Sequence, residues 1–223
     1  MATGAIDGGQ VRAVVDSALR EYGMPAEMRT DNGTPFATNP PGGLSELSIW
    51  WIRLGIAHER IEPGKPKQNG RHERFHLSLI QDCLDFQIGY DLRAQARIFA
   101  RYGKEFNQQR PHEALDMRTP DSVWTPSPRP HPARVPEIEY GTGYHLRRVN
   151  GQGSFPWHGV RVHLGQVLAG EVVGVMEIDD DVHEVVLGPV PLGLLDGRTR
   201  AFVRADAAER PARKATPTPS NPR

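Results

Sequence analysis

Two carboxylates in this chain occupy positions suited to holding a divalent metal ion next to a phosphate. Asp31 follows the short stretch Met28–Thr30 and opens an Asp-Asn-Gly turn, which predicts that it closes a strand. Glu73 comes just after a Gly-containing loop, where apolar residues begin to recur every four positions, and this predicts the first turn of a helix. Mg²⁺ and Mn²⁺ prefer oxygen ligands, so Asp31 and Glu73 are the candidate metal ligands and catalytic residues of a phosphoryl-transfer site.

The segment that precedes Glu73 supplies positive charge. Its lysines lie in a stretch rich in proline and glycine, which cannot be helical. Cationic side chains there would neutralise backbone phosphates, and neighbouring amides could donate hydrogen bonds near the scissile bond. The candidate DNA-binding residues are Lys65, Lys67, Gln68, Asn69, Arg71 and Arg74.

The same predicted helix also fits a second chemistry. Residues 72–76, HERFH, match H-E-x-x-H, a pattern that places two histidines on one helix face for zinc and a glutamate beside them as general base. This short motif needs a third ligand, for which Glu105 and His112 are the candidates. A zinc hydrolase is therefore an alternative, although it leaves Asp31 and the lysine-rich loop unexplained.

The elements that would position these residues follow from apolar spacing. Recurrence at three and four residues predicts helices over Val11–Tyr22, Leu44–Leu54, the stretch from Glu73 onwards and Leu92–Phe106. Short strands are predicted at 28–30 and 56–61. The sequence therefore predicts an α/β region in its first half, with Trp50 and Trp51 as core residues.

The second half of the chain has a different pattern. Prolines crowd residues 125–136, which predicts a linker. Short apolar runs separated by Gly- and Asp-rich turns then predict a small antiparallel β-barrel over residues 137–204. Residues 205–223 are polar and proline-rich, and we expect a disordered tail there.

Composition limits the possible compartments and partners. The 223 residues include 27 basic and 27 acidic side chains, so any nucleic-acid interface must rest on local clusters of charge. The one cysteine, Cys83, excludes an internal disulfide framework and suits a reducing environment. No apolar run has membrane-spanning length, and the start of the chain lacks a secretion signal. We therefore expect a cytoplasmic protein without a membrane partner.

Three ordered motifs give the chain a family resemblance. They are 29–36 (RTDNGTPF), 63–74 (PGKPKQNGRHER) and 106–115 (FNQQRPHEAL). Together they resemble the integrase core of bacterial insertion-sequence transposases with a DDE triad, over roughly Val11 to Trp124. The resemblance implies a ribonuclease-H-like fold over residues 1–124, with Asp31 and Glu73 as the second and third carboxylates of the triad. It also implies an SH3-like barrel at 137–204, DNA as partner (element ends and target), and a homo-oligomer.

The chain departs from that family pattern at its start. The family's first aspartate lies several dozen residues before the Asp-Asn-Gly turn, on a strand, and neither Asp7 nor Asp16 fits that position. The sequence thus resembles a core truncated at its N-terminus, and we expect weak metal binding and little strand transfer from this chain alone. The apolar faces at Val11–Leu19 and Leu44–Leu54 would then lack the sheet that normally covers them.

A non-enzymatic role is the other main hypothesis. The predicted barrel carries cations that could contact a DNA backbone: Arg147, Arg148, Arg161, His158 and His163. It also carries acidic residues, at Glu171 and at 179–181, which favour an ordinary solvated surface. The chain could therefore serve as a DNA-binding or assembly module.

Overall fold

The computed structural model describes residues 7–36, 38, 41–62, 70–84 and 89–205, with the backbone alone at Arg71, Cys83 and Leu84. These residues divide into two compact units. One unit contains the described residues of 7–13, 33–58 and 132–205, and the other contains those of 14–32 and 59–131. The predicted domain boundaries at 124, 136 and 204 stay a prediction.

Helices and short strands alternate in the first half of the chain. In order they are α1 (Gly8–Tyr22), β1 (Glu27–Thr30), α2 (Glu46–Arg53), β2 (Ala57–Arg60), α3 (Gly70–Leu79), α4 (Leu92–Gln108) and α5 (Pro120–Val123). A π-helical turn, Ile80–Leu84, continues α3. Strands β1 and β2 pair in a two-stranded sheet. The helices and strands predicted for this region from apolar spacing are found, within a few residues of the predicted bounds.

The described part of the second half contains seven strands. They are β3 (His145–Arg148), β4 (Ser154–Trp157), β5 (Val160–His163), β6 (Val172–Asp179), β7 (Val182–Leu187), β8 (Val190–Asp196) and β9 (Phe202–Arg204). Strands β4 and β5 form a hairpin, and the other five form an antiparallel sheet in the order β3-β6-β7-β8-β9. Among the described strands this sheet is an open row with β3 and β9 at its edges. Antiparallel strands are confirmed, but closure into a barrel is not seen.

A tight turn separates strands β4 and β5 of the hairpin. Residues 155–164 contain His158 and Gly159 between the register partners Trp157 and Val160. Both turn residues have positive φ, 42° and 82°, which is the backbone of a tight two-residue hairpin turn. The His158-Gly159 pair therefore forms the turn that divides residues 155–164 between two strands.

Helix α2 packs against the five-stranded sheet. Leu44, Ile49 and Ile52 belong to the same buried cluster as residues of β4 to β8, including Leu187 and Leu192. Both tryptophans of α2 are buried, Trp51 completely, which confirms their prediction as core residues. The expectation that the 44–54 face lacks a covering sheet is wrong, because strands from the second half of the chain cover it.

Local sequence explains the start and end of α2. Ser45 is the N-cap, and its hydroxyl accepts a hydrogen bond from the Ser48 amide at 3.2 Å. The Ser48 hydroxyl in turn accepts from the Ser45 amide at 2.7 Å, which completes a capping box. Gly55, with φ of 67°, follows the last turn and lets the chain reverse into β2.

The proline-rich segment after α5 contacts the end of α1. The Ser127 amide donates to the Tyr22 carbonyl at 3.2 Å, and the Met24 amide donates to the Arg129 carbonyl at 2.8 Å. The Trp124 ring meets the Tyr22 ring edge-on, with centroids 5.8 Å apart. Residues 124–129 are thus fixed by backbone hydrogen bonds within their own unit.

Candidate functional site

Asp31 lies directly after β1, as predicted. The Thr30 carbonyl accepts a hydrogen bond from the Ile61 amide at 3.0 Å, and the Asn32 side chain donates to the Ile61 carbonyl at 2.8 Å. Arg29 forms a two-nitrogen contact with Glu59 of β2, at 2.7 and 2.9 Å. Contacts on both sides therefore hold the exposed Asp31 where the chain leaves β2 for the segment that leads to α3.

Glu73 lies in the first turn of α3, also as predicted. Its side chain and that of Arg74 are exposed. A carboxylate is favoured at this end of a helix, where unpaired backbone amides carry partial positive charge. Asp31 and Glu73 belong to the same compact unit.

The basic segment between them lies outside the described residues. Lys65, Lys67, Gln68 and Asn69 fall in 63–69, and Arg71 is described by its backbone alone, in α3. Of the six candidate DNA-binding residues, Arg74 is the one whose side chain is described. The set therefore stays a prediction.

The two histidines of the H-E-x-x-H pattern do share a helix face. The His72 and His76 rings stack with centroids 5.9 Å apart, and both side chains are exposed. Within the described residues, however, no group of three or more His, Cys, Asp or Glu side chains is arranged to hold a metal ion. Neither Glu105 nor His112 thus provides the third ligand that a zinc site requires.

The same observation bears on Mg²⁺ or Mn²⁺. Asp31 and Glu73 offer carboxylate oxygens, the right ligand chemistry for these ions. The described residues nevertheless assemble no cluster of three acidic or histidine side chains. The part of the chain that the structure describes therefore does not complete a metal site by itself.

Helix α3 packs on α4 through aromatic side chains. The Phe75 ring meets Phe106 edge-on at 5.3 Å between centroids, and Tyr102 lies 5.8 Å from Phe106. Tyr102 is buried, but Phe75 keeps 43% of its surface exposed. The apolar stripe that predicted α3 is therefore covered on one side only.

An ion pair that the sequence analysis missed joins the end of α3 to the end of α4. Arg110 donates a hydrogen bond to the carboxylate of Asp82, in the π-helical turn. This contact raises the pKa of Arg110 above its ordinary value, chiefly because Asp82 accepts that hydrogen bond. Both residues line a cleft of about 330 Å³ with Tyr102, Glu105 and Phe106. Arg110 stands in a family-like motif, but nothing in the sequence pairs it with Asp82, 28 residues earlier.

His112 has a structural position. Its ring packs edge-on against Phe106 at 4.6 Å between centroids. Its backbone amide donates to the Arg118 carbonyl at 3.0 Å, and the two residues form an isolated β-bridge. Pro111 separates this bridge from α4, which ends at Gln108.

The cations of the β-rich half are distributed over two sheets. Arg148 and Arg161 are exposed, as are His158 and His163. Arg147 differs, because its guanidinium lies over the ring of the buried Trp157, 5.0 Å from the centroid. Cation–π contact of this kind gives Arg147 a packing role in addition to its charge.

Comparisons with known proteins show which proteins the chain resembles. Residues 54–120, which include α3 and α4, match the integrase core domain family. The uncharacterized 31.7 kDa protein of insertion element IS407 from Burkholderia multivorans is 31% identical over 115 residues, which cover 52% of this chain and 39% of that protein. The uncharacterized 39.2 kDa protein of insertion element IS476 from Xanthomonas euvesicatoria is 29% identical over 146 residues, covering 65% of this chain and 35% of that protein.

Residues 54–120 therefore carry integrase-core sequence, and the chain is similar to proteins of two insertion elements, which confirms the resemblance drawn from its motifs. It spans little more than a third of the length of either relative. A solved structure titled as the simian T-cell lymphotropic virus intasome in complex with PP2A regulatory subunit B56 gamma aligns with a TM-score of 0.42 and 15% identity, over 82% of this chain and 63% of that one. None of the described helices is long and apolar enough to cross a membrane.

Proposed function

We propose that the protein acts in DNA transposition, as an integrase-core protein whose Asp31 and Glu73 belong to a phosphoryl-transfer site. The observation that carries this proposal is the match of residues 54–120 to the integrase core domain family, because that range contains Glu73 on α3. Asp31 lies before the matched range, at the end of the strand that pairs with β2. The proposed architecture is a partial ribonuclease-H-like core followed by an SH3-like β-domain.

The proposed chemistry uses Asp31 and Glu73 as oxygen ligands. A bound Mg²⁺ or Mn²⁺ would supply Lewis-acid polarisation of a phosphodiester. We expect weak metal binding, because the described residues form no cluster of three metal-ligating side chains. Weak metal binding would leave little or no strand transfer by this chain alone. DNA, as element ends and as target, is the proposed partner, and a homo-oligomer is the proposed assembly.

A plasmid assay tests this function. The full chain is incubated with supercoiled plasmid and Mg²⁺ or Mn²⁺, and nicked and joined products are quantified beside Glu73→Gln and Glu46→Gln. The two glutamates are matched, because each is exposed in the first turn of its helix. We expect traces of product at most, lost in Glu73→Gln and kept in Glu46→Gln. Robust joining that depends on Glu73 would refute the expected inactivity, and products that survive Glu73→Gln would refute the site.

A DNA-binding module without catalysis is the second candidate. The exposure of Arg148 and Arg161 supports it, since both guanidinium groups lie on the surface of the β-rich half. The negative charge of Glu171 weakens this DNA-binding hypothesis less than the sequence suggested, because its carboxylate lies 3.5 Å from the guanidinium of Arg53. A gel shift at two salt concentrations tests this role, and a shift that does not weaken with salt would exclude it. The full chain is the proper sample, because α2 contributes to the core of the β-rich half.

A further inference from the structure

Helix α4 carries a row of cations on one side. Arg93, Arg97, Arg101 and Lys104 follow one another at intervals of four, four and three residues, which places them on one face of a helix. All four side chains are exposed. We call Arg93, Arg97, Arg101 and Lys104 the basic row of α4.

The opposite side of α4 is the packed one. Tyr102 is buried there, and Phe106 contacts Phe75 of α3. At 100° per residue, Tyr102 and Phe106 lie on average about 160° around the helix from Lys104 and Arg93. The basic row therefore lies on the side of α4 that faces away from the contact with α3.

The basic row carries more positive charge than is expected of an ordinary solvent-exposed helix face. The whole chain balances 27 basic against 27 acidic residues, so a random exposed face would mix both signs. Helix α4 contains a single acidic residue, Glu105, which lines the cleft with Asp82 and Arg110. Glu105 is exposed and lies at one edge of the row, four residues after Arg101, whereas Ala100 and Gln108 on the same face as the row are uncharged. Arg93 and Arg97 are like charges four residues apart on one face, so they repel each other, and a polyanion would relieve that repulsion.

The dimensions of the row fit a nucleic-acid backbone. Eleven residues separate Arg93 from Lys104, which corresponds to about 16 Å along a helix. One strand of DNA rises about 3.4 Å per phosphate, so it presents about five phosphates over that length. Each cation can therefore face a phosphate of its own.

We infer that the basic row of α4 is a second DNA-binding surface, which holds a phosphate backbone without reading its sequence. The inference takes DNA as partner from the proposed function and adds a surface that the motif-based set of candidate residues does not contain. Contacts to phosphates position a protein on DNA and carry no direct sequence information. The basic row thus fixes a DNA segment on the side of α4 that faces away from α3.

Salt-dependent binding tests this assignment. Anisotropy titrations of a labelled duplex of about 30 base pairs, between 50 and 200 mM KCl, compare the unchanged full chain with Arg93→Gln/Arg97→Gln. Each lost phosphate contact lowers the slope of log K against log salt by about 0.9, so the double variant should lose about 1.8 and bind about 60-fold more weakly at 0.1 M. Glutamine keeps helix propensity close to that of arginine, and circular dichroism checks that the helix is retained.

A charge-preserving variant separates charge from side-chain shape. Arg93→Lys/Arg97→Lys should retain the salt slope of the unchanged chain, since lysine also neutralises phosphate. A slope for Arg93→Gln/Arg97→Gln within about 0.5 of the unchanged chain overturns the inference and leaves the row to another polyanion, such as an acidic protein surface. A chain that binds no DNA overturns both this inference and the proposed partner. A lost slope together with plasmid products that survive Glu73→Gln would sustain the surface and refute the catalytic site alone.

Discussion

Replacing Ile52 with alanine tests whether α2 is part of the core of the β-rich half. Ile52 keeps 8% of its surface exposed and belongs to the cluster that contains Leu187 and Leu192. Its Cγ2 lies so close to the β7–β8 turn that a Cβ added at Gly188 would be 3.3 Å away. The side chain thus reaches the turn between two sheet strands.

The magnitude follows from the atoms removed. Ile52→Ala deletes three carbon atoms, worth about 0.8 kcal/mol each in transfer free energy, or about 2.4 kcal/mol. The cavity left behind adds to this, so the loss of unfolding free energy should be about 2–5 kcal/mol. With a urea slope of about 2 kcal/mol per M, the unfolding midpoint falls by about 1–2.5 M.

Urea unfolding followed by tryptophan fluorescence measures this shift, with Trp51 and Trp157 as buried probes in the same unit. Ile178→Ala is the matched control, because Ile178 lies on β6 and keeps 51% of its surface exposed. We expect the control to change the free energy of unfolding by less than about 1 kcal/mol. Equal midpoints for the two variants would refute the packing of α2 on the sheet.

Two further predictions concern local contacts. Ser45→Ala should cost about 0.5–2 kcal/mol in urea unfolding, because it removes the capping box of α2, whereas Ser17→Ala on the exposed side of α1 should cost nothing. Asp16 has a pKa below its usual 3.8, chiefly because it accepts a hydrogen bond from Arg20 at 2.7 Å. Its contribution to stability is therefore full above about pH 4 and is lost as the pH falls through the lowered folded pKa. The difference in unfolding free energy between the unchanged chain and Asp16→Asn should shrink from pH 7 to pH 2, and a constant difference would contradict this.

Local signals predicted the elements, and long-range pairing could not be read from them. The apolar spacing that predicted α2 and α4 is a local property of each segment. Both helices were found where expected. The packing partner of α2 could not be predicted in this way. An apolar helix face indicates that the helix is buried on that side, but it does not identify the strands that pack against it. The same limit applies to Ser127 and Arg129, which lie in the predicted linker. Their backbone hydrogen bonds join them to Tyr22 and Met24, about a hundred positions earlier in the chain.

For the candidate site too, the positions of single residues were predicted, but their convergence in space was not. Asp31 and Glu73 were predicted from turn and helix-start chemistry, and both stand at those positions. Whether carboxylates converge depends on the fold around them, which spacing alone does not specify. The Asp82–Arg110 ion pair illustrates this limit, because Asp82 lies in the π-helical turn and Arg110 lies just after α4, with no shared motif.

The placement of α2 has a consequence for synthesis of the chain on the ribosome. Gly188, beside Ile52 in the folded protein, is made 136 residues later. At about 5–20 residues per second, the apolar side of α2 waits roughly 7–27 seconds for its strands to emerge. Ile49 and Ile52, which belong to the core shared with those strands, are exposed to other nascent or misfolded chains during that interval. We therefore expect the yield of native protein to depend on chaperones that shield such segments.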